Sequence, residues 1–445
     1  MLPVFTLPTL AVGAVALPPT PRRPPNIVLI VTDDLGYGDL GCYGQRVVRT
    51  PNIDRLAAQG LRFTQFYSGA TVCAPSRCAL MTGLHSGHGT IRGNALAPLR
   101  PEDACVAQAL GAAGYRTGLF GKWGLGEAGS TGTPNRKGFD EFYGYLNQVH
   151  AHDSFPAALW RDDAETQLPG NGQGAHGQFS NDLFTREAIG FVERNRNKPF
   201  FLYLAYTTPH ANSSARRMDC PAIEPEYAGR GWPEAEARFA SIMTRMDRDV
   251  GALVGRVDAL GLGRETVILF TSDNGPHREG GHDPDFFLSR GGLRGIKRDQ
   301  YEGGIRVPMI VRWLGHTPAG HVSAVPWAFW DFPATAAAMA GLQVRPAGDG
   351  ISMLPAIRGK GQGRHPTFYW EFHEGGFHQA ARTGDWKVVR HGLHAPVELY
   401  DLKRDRAEEH DLASEHPDIA ARLGLLLDRS RTESTDFPVV DSARG

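Results

Sequence analysis

A cysteine close to the predicted start of a helix is the first candidate for chemistry in this chain of 445 residues. Residues 73–77 read Cys-Ala-Pro-Ser-Arg, and Pro75 is typical of a first helical turn. The free N–H groups and the dipole at a helix start favour an anion, to which Arg77 can add a forked donor. The segment therefore predicts a nucleophile at Cys73 beside an anion site. Without its neighbours, Cys73 would be interpreted as a small, buried and unreactive residue.

Acidic and amide side chains in two separate segments predict a cation site. Asp33 and Asp34 follow one apolar run, and Asp273 and Asn274 follow another. Three carboxylates and an amide oxygen are ligands that a hard cation such as calcium prefers. Asp33 and Asp34 are also compatible with a turn at the end of a strand. Two adjacent carboxylates at a buried strand end nevertheless need a compensating charge, which favours the cation.

Lys122, His210 and Lys297 are further candidates, in the segments Gly-Lys-Trp at 121–123, Thr-Pro-His at 208–210 and Gly-Ile-Lys at 295–297. Each one alone is compatible with a surface lysine or a hydrogen-bonded histidine. Their significance depends on whether the fold brings them to the same place as Cys73 and the carboxylates.

The apolar runs that precede these residues predict the elements that hold them. Runs rich in Val, Ile, Leu and Phe predict strands buried on both faces, and helical patterns separate them, so the predicted fold class is α/β. Four of the runs lead directly into the two carboxylate segments, Lys122 and His210. Ligands of an open parallel sheet bind outside the carboxyl ends of its strands, so these segments are expected to meet at one site. The predicted strands are 27–32, 117–120, 200–206, 267–271 and 307–312.

A large domain is predicted over residues 26–356, and a smaller α+β domain over 365–437. A polar stretch between them predicts a linker, with glycines at 359, 361 and 363. The clearest helices of the large domain are 52–58, with Thr50 as the predicted cap, and 239–260 before Gly261. In the smaller domain the predicted strands are 367–372, 386–390 and 398–402, followed by a helix near 417–427.

The net charge and the N-terminal segment restrict which partners and which cellular location are expected. Lys and Arg total 47 against 48 for Asp and Glu, so no basic surface is expected to gather nucleic acid. Residues 1–25 contain an apolar run that ends in Ala-Val-Ala at 14–16, which predicts a secretory signal; a disordered tail is the alternative. The run is too short, and too interrupted by proline, to predict stable membrane insertion. A periplasmic or secreted protein is therefore expected.

Five cysteines are too few for a disulfide scaffold in a chain of this size. If Cys73 has a special role, four others remain, at positions 42, 78, 105 and 220. These four are compatible either with disulfides or with small buried thiols, and the sequence leaves both open.

Together these segments resemble the formylglycine-dependent, arylsulfatase-like sulfatases in residue type and in order. The resemblance spans about residues 26–313, and Leu-Tyr-Asp-Leu at 399–402 resembles the smaller domain of the same proteins. The motifs that carry it are Cys-Ala-Pro-Ser-Arg at 73–77 with Leu-Met-Thr-Gly at 80–83, Asp-Asp at 33–34, Asp-Asn-Gly at 273–275, Gly-Lys-Trp at 121–123, Thr-Pro-His at 208–210, and Gly-Ile-Lys at 295–297 before Tyr-Glu-Gly-Gly at 301–304.

The resemblance implies an alkaline-phosphatase-like fold and hydrolysis of sulfate monoesters, with sulfated carbohydrate as the first expected substrate class. It implies that a formylglycine-generating enzyme converts Cys73 to formylglycine, the nucleophile. The implied calcium ligands are residue 73 and Asp33, Asp34, Asp273 and Asn274. The implied sulfate-binding residues are Arg77, Lys122 and Lys297, while His210, with Lys297, protonates the leaving oxygen.

The sequence departs from this resemblance at Gly124. Family members commonly have a histidine two residues after the lysine, and this side chain is usually assigned to sulfate binding or release. A segment His-Ala-His-Asp follows at 150–153, after a glycine-rich loop. We predict that His152, or its neighbour His150, supplies the base in its place. A polar loop with solvated histidines is the alternative.

Three other functions are compatible with parts of this pattern. A phosphomonoester or phosphonate-ester hydrolase of the same fold would prefer phosphate over sulfate esters. A thiol hydrolase that uses unmodified Cys73 with a histidine base would leave the four predicted calcium ligands without a purpose. A carbohydrate-binding protein without activity would bind ligand and release no sulfate. The sequence does not name the alcohol, because the loops that shape a substrate pocket vary independently of the fold.

Overall fold

Two β-sheets organise the chain in the computed structural model, which describes residues 23–342, 348–363 and 365–439. The larger sheet has 11 strands and the smaller has 4. The larger sheet is mostly parallel at its centre and has helices on both faces, so the predicted α/β class is confirmed. Of the predicted signal or tail, residues 1–22 lie outside the described residues.

The centre of the larger sheet determines where the candidate residues meet. Its order is β10-β2-β9-β8-β1-β7-β3-β4-β5-β6, with β11 paired to β2. Strands β8, β1, β7 and β3 run parallel, so their carboxyl ends lie at one edge, as predicted. The strands are β1 (Asn26–Asp33), β2 (Leu61–Tyr67), β3 (Arg116–Lys122), β4 (Glu141–Tyr145), β5 (Ala158–Arg161), β6 (Ala164–Gln167), β7 (Phe200–Pro209), β8 (Thr266–Ser272), β9 (Arg306–Arg312), β10 (His321–Ser323) and β11 (Trp327–Ala328).

Strand β9 differs from its four central neighbours in direction. It pairs antiparallel with β8, and Met309 lies opposite Thr271. Because β9 runs the other way, it starts at the edge where β8 ends. The loop that precedes β9 therefore reaches the same edge, and this loop carries Lys297.

Helices cover both faces of the larger sheet. Val28 and Ile30 of β1 face a core formed with α1, α4 and α5, whereas Ile27 and Leu29 face a core formed with α2, α3, α7 and α8. Burial on both faces explains the continuous apolar runs in the sequence. Within the described ranges, no helix has the length and apolarity to cross a membrane. The helices are α1 (Pro51–Ala58), α2 (Cys73–Thr82), α3 (Val106–Ala112), α4 (Ser180–Asn195), α5 (Glu234–Ala259), α6 (Glu302–Ile305), α7 (Phe332–Met339), α8 (Leu354–Ile357) and α9 (Pro417–Arg429).

The start of α1 is satisfied by a partner from another helix. Thr50 occupies the predicted cap position, but its side chain makes no capping hydrogen bond. Instead, the backbone N–H groups of Asn52 and Ile53 donate to Asp247 Oδ1 in α5, at 3.0 and 2.8 Å. The Asp247 carboxylate therefore caps the N-terminus of α1, the role that the sequence predicts for Thr50.

The smaller sheet is antiparallel and packs against the loop that carries Lys297. Helix α9 covers one of its faces. On the other side, Lys387 Nζ is buried 3.1 Å from Glu302 Oε1 and 2.8 Å from Glu408 Oε1, and Glu302 opens α6. These ion pairs connect the smaller sheet to the edge of the larger sheet at which β8, β1, β7 and β3 end. The division between domains at 356–365 stays a prediction. The strands are β12 (Phe368–Phe372), β13 (His378–Thr383), β14 (Trp386–His391) and β15 (Val397–Asp401).

All five cysteines are free thiols, so the structure contains no disulfide among them. Four of them are buried, and Cys42 is half-buried. The sequence is compatible with disulfides or with free thiols at positions 42, 78, 105 and 220, and in the structure these cysteines are free thiols.

Candidate active site

Cys73 is the first residue of α2 and lies at the carboxyl-end edge of the larger sheet. Its side chain is buried, and Sγ lies 3.3 Å from Asp33 Oδ1 at the end of β1. Burial, together with the negative charge of Asp33, raises the pKa of the Cys73 thiol well above its ordinary value. An unmodified cysteine at this position therefore remains a thiol and is a poor nucleophile.

Arg77 connects α2 to the ends of two strands. Its Nε and Nη2 lie 2.9 and 2.8 Å from Asp273 Oδ2, and its Nη1 donates to the backbone oxygen of Lys122 at 2.9 Å. The guanidinium is buried, and one turn of helix separates it from Cys73. These bonds fix both the position of Arg77 and the orientation of α2.

The predicted metal ligands lie together after β1 and β8. Asp34 has a φ of 65°. Its backbone N–H donates a hydrogen bond to Asp273 Oδ1 at 3.2 Å. The side-chain amide of Asn274 donates to Asp34 Oδ1 at 2.6 Å. Asn274 Oδ1 is buried without a hydrogen-bond partner. An unpaired buried oxygen costs free energy unless a ligand satisfies it.

Lysine side chains balance part of this negative charge. Lys122 Nζ lies 2.7 Å from Asp33 Oδ2, and Lys297 Nζ lies 2.9 Å from Asp34 Oδ2. Although burial opposes it, the charge of Lys122 holds the pKa of Asp33 well below its ordinary value. Burial and the charge of Asp33 raise the pKa of Asp273 to about 7. The surroundings of the carboxylates are thus unequal, and a further cation beside them would favour the charged form of Asp273.

The residues present fit a hard divalent cation. One ligand atom each from Asp33, Asp34, Cys73 and His210 lies within 4.8 Å of the others. Asp273 and Asn274 adjoin this group, since the Asp34 backbone N–H donates to Asp273 Oδ1 and the Asn274 amide nitrogen donates to Asp34 Oδ1. The Asn274 oxygen itself has no hydrogen-bond partner and is free to bind a cation. The donor set is dominated by oxygen, which suits calcium or magnesium better than a transition metal.

His210 and Lys297 form a coupled pair at the same edge. His210 Nδ1 lies 2.5 Å from the backbone oxygen of Ala211, so Nδ1 carries the proton and Nε2 accepts from Lys297 Nζ at 3.0 Å. Burial and the charge of Lys297 lower the pKa of His210 to about 3. The imidazole is therefore neutral and the lysine holds the proton.

The two histidines of the His-Ala-His-Asp segment occupy different surroundings. The His152 ring stacks on His210 with centroids 4.4 Å apart and an angle of 13°. Burial and the charge of Lys122 lower the pKa of His152 to about 4. His150 instead packs edge-on against Tyr145, 5.0 Å between centroids. Only His152 of this pair reaches the predicted site residues.

The structure gives a physical reason for Gly124. Its φ is 78°, in the left-handed region that side chains rarely adopt. A Cβ there would lie 2.1 Å from Nε2 of Gln148, and Gln148 Nε2 donates to the Gly124 backbone oxygen at 3.3 Å. The buried amide of Gln148 therefore fills the space that a side chain at 124 would need.

Glu279 and His277 contact the predicted site residues, but they were not predicted from the sequence. Glu279 Oε1 lies 3.2 Å from Lys297 Nζ, and Glu279 Oε2 lies 3.8 Å from His210 Nε2. His277 stacks on His210 at 5.7 Å. Both follow Asp273 and Asn274 in one loop, which is the signal that could have found them. Glycines of the motifs allow the loops to approach closely: a Cβ on Gly275 would lie 1.9 Å from the Gly303 oxygen.

Comparisons with known families decide among the enzyme classes that this geometry allows. The family model for sulfatases matches residues 25–342. The chain belongs to the sulfatase family. A second model, described as N-sulphoglucosamine sulphohydrolase, C-terminal, matches residues 296–432. The family prediction made from the motif at 73–77 together with the other segments is confirmed, and this sulfatase is a sulfuric ester hydrolase.

Known relatives span most of this sulfatase. Arylsulfatase A of Homo sapiens is 33% identical over 457 residues, which cover 88% of this chain and 83% of the relative. N-acetylgalactosamine-6-sulfatase of Sus scrofa is 32% identical over 403 residues, which cover 82% and 72%. The similarity therefore includes both sheets and is not limited to the motifs.

Solved structures confirm the alkaline-phosphatase-like fold. The crystal structure of Ps i-CgsB in complex with k-i-k-neocarrahexaose has a TM-score of 0.79 and 28% identity, and the match covers 95% of this sulfatase and 96% of that chain. The phosphonate monoester hydrolase of Agrobacterium radiobacter has a TM-score of 0.64 and 20% identity, with coverage of 91% and 94%. At that identity the likeness concerns the fold alone.

Proposed function

We propose that this sulfatase hydrolyses sulfate esters of carbohydrates to an alcohol and inorganic sulfate, with formylglycine at position 73 and a calcium ion. The contacts of Asp33 carry the proposal. Its carboxylate lies 3.3 Å from Cys73 Sγ, 2.7 Å from Lys122 Nζ and 3.9 Å from Arg77 Nη2. Residue 73 thus lies among a carboxylate for the metal and two cations for an anion.

Asp33, Asp34, Asp273, Asn274 and residue 73 would hold the calcium ion. Calcium would supply positive charge that orients the nucleophile and neutralises sulfate. Formylglycine, made from Cys73 by a maturation enzyme, would supply in its hydrated form the hydroxyl nucleophile that the buried thiol cannot replace.

The remaining side chains bind the anion and move protons. Arg77, Lys122 and Lys297 would donate to the sulfate oxygens, where negative charge is distributed in the transition state. Asp34 and burial act in opposite directions on Lys297, and the net effect raises its pKa, so its ammonium keeps a proton at neutral pH. Lys297, 3.0 Å from His210 Nε2, would provide the proton for the leaving oxygen through this pair.

Carbohydrate is the proposed source of the alcohol. A solved structure similar along 95% of this chain contains a neocarrahexaose, a carbohydrate. A periplasmic or secreted location, proposed from residues 1–25, is compatible with a polysaccharide-derived substrate.

Paired turnover assays test the proposed reaction. We expect this sulfatase to hydrolyse 4-nitrophenyl sulfate with kcat/KM at least about a hundredfold above that for 4-nitrophenyl phosphate, because specificity reflects transition-state binding of one anion over the other. The two esters share a leaving group, so the comparison isolates the anion. A preference for the phosphate ester would instead support a phosphate or phosphonate hydrolase, and binding without hydrolysis would support a carbohydrate-binding protein.

His152 is proposed as the base that assists sulfate release in place of a side chain at 124. The motivating contact is its stacking on His210 at 4.4 Å. We expect His152→Ala to slow sulfate release more than alcohol release, so that a rapid burst of alcohol, about one per active site, precedes a steady rate at least about tenfold lower. Stopped-flow measurement of 4-nitrophenol checks this.

His150→Ala is the matched control, because His150 lies in the same turn but packs on Tyr145. It should retain the normal steady-state rate without a burst. Normal kinetics for both single variants would remove His152 from the mechanism and leave Lys122, His210 or water as the base.

A further inference from the structure

The buried sulfate-binding cations are connected to solvent along one row of charged side chains. The exposed fraction of the side chain is 3% for Lys297, 21% for Glu279, 50% for Arg298 and 37% for Glu374. Exposure is low at Lys297 and Glu279 and higher at Arg298 and Glu374, so this row leads from the buried site to solvent. A sugar joined to the sulfate through an oxygen near Lys297 can extend along it.

Four residues from three segments form the solvent-facing part of this site, and we name them the rim: Asn94, Glu279, Arg298 and Glu374. Arg298 Nη1 donates to Glu279 Oε1 at 3.0 Å, and Arg298 Nε lies 3.7 Å from Glu374 Oε2. The backbone N–H of Asn94 donates to Glu374 Oε1 at 2.9 Å. Glu374 lies in the connection between β12 and β13, so the smaller sheet contributes to the rim.

The rim is joined directly to the nucleophile helix and to the leaving-group pair. Asn94 Oδ1 accepts the backbone N–H of Ala74, the neighbour of Cys73, at 3.0 Å. At the opposite end, Glu279 Oε1 lies 3.2 Å from Lys297 Nζ. The rim therefore borders the reacting atoms on two sides and is part of the same site.

The chemistry of the rim suits hydroxyl groups. The 3.7 Å between Arg298 Nε and Glu374 Oε2 is longer than a hydrogen bond, so a hydroxyl that accepts from the arginine and donates to the carboxylate can satisfy both. The Arg298 guanidinium can also stack on an aryl group, whereas the Glu374 carboxylate only accepts hydrogen bonds, which a hydroxyl group can donate. Glu279 is paired with both Lys297 and Arg298, whereas Glu374 lies 3.7 Å from Arg298. Glu374 therefore keeps more of its negative charge, which disfavours a second anionic substituent beside it.

We propose that Glu279, Arg298 and Glu374 bind the sugar ring that carries the sulfate, and that they select a ring whose neighbouring substituents are hydroxyl or amino groups over one with a second sulfate or carboxylate. The inference rests on the proposed sulfatase reaction on carbohydrates. Arg298 and Glu374 are specificity residues in this account, since neither contacts Cys73, Lys122 or Lys297 in the contacts described above.

Kinetics on two substrate classes test the inference. The substrates are 4-nitrophenyl sulfate and a panel of galactose and N-acetylglucosamine monosulfates that covers each hydroxyl position. For the best sugar of the panel, Glu374→Gln and Arg298→Ala should each lower kcat/KM about tenfold or more, because each removes a charged hydrogen-bonding partner. For 4-nitrophenyl sulfate the loss of kcat/KM should be smaller by about fivefold or more, because the aryl ring has no hydroxyl group for these side chains to bind.

Two exposed residues outside the rim provide matched controls, Glu234→Gln and Arg404→Ala, whose side chains are 69% and 87% exposed. Neither control variant should change kcat/KM for 4-nitrophenyl sulfate or for the best sugar. A doubly sulfated form of the best sugar gives a second readout. Glu374→Gln should shift the ratio of kcat/KM toward this form about threefold or more, because it removes one negative charge from the rim.

The outcomes separate the inference from the reaction on which it rests. The inference would be overturned by equal losses of kcat/KM on both substrate classes or by no loss on either. It would also be overturned if 4-nitrophenyl sulfate but no panel sugar were hydrolysed, or if Glu374→Gln left the preference for the doubly sulfated form unchanged. No hydrolysis of any sulfate ester by the mature enzyme would instead contradict the proposed function.

Discussion

Replacing Cys73 with alanine is expected to lower kcat for 4-nitrophenyl sulfate by at least about ten-thousand-fold, the scale of removing a covalent nucleophile. Cys73 Sγ lies 3.3 Å from Asp33 Oδ1, beside the proposed anion-binding cations and metal ligands. The substitution removes one buried sulfur and leaves α2 otherwise unchanged, so the fold should persist. Thermal unfolding of the variant, followed by circular dichroism, checks that it does.

Cys78→Ala is the matched control for this variant. Cys78 is buried in the same helix but packs in the apolar core between α2 and α3. The control should lose some stability through a small cavity and keep most of its activity. Substantial activity in a well-folded Cys73→Ala protein would exclude residue 73 as the nucleophile.

Removing calcium is expected to lower kcat about a thousandfold, since a bound metal supplies several kcal/mol of transition-state charge stabilisation. The unpartnered Asn274 Oδ1 and the raised pKa of Asp273, caused by burial and the charge of Asp33, indicate that these residues need a cation. Chelation with EGTA followed by calcium addition measures the effect on turnover. At a calcium concentration a hundredfold above Kd, the free energy of unfolding should also rise by about 2.7 kcal/mol.

Asp273→Asn should abolish both effects of calcium, because it replaces a charged ligand with a neutral one. Asp418→Asn, at an exposed position in the first turn of α9, should leave both intact. Calorimetric titration gives a readout that is independent of turnover. Full activity in protein shown by metal analysis to be free of calcium would contradict the proposed site.

The sequence was most informative where one physical rule links it to the fold. Parallel strands end at the same edge of a sheet, so polar residues that follow separate apolar runs meet there. Asp33, Lys122, His210 and Asp273 obey this rule, and the structure brings them together. Glycine and proline around Cys73 likewise indicated the correct helix, since Gly83 ends α2 with a φ of 77°.

Other features depend on contacts that no local pattern contains. Strand β13 has few apolar residues, and its buried Gln379 is satisfied by the backbone oxygen of Leu427 in α9, at 2.9 Å. Glu374 reaches the rim only because the smaller sheet packs on the larger one. The role of Gly124 becomes visible only when Gln148 is seen to occupy the adjacent space. Such contacts between distant segments follow from tertiary packing, which periodicity and motifs do not specify.

Peptide mass spectrometry of active protein tests the central claim most directly. The peptide that contains residue 73 should be purified from protein expressed with a formylglycine-generating enzyme and with specific activity measured on the same preparation. The account predicts an aldehyde in place of the thiol, and an aldehyde fraction that rises in proportion to specific activity. A fully active preparation in which Cys73 remains an intact thiol would contradict it.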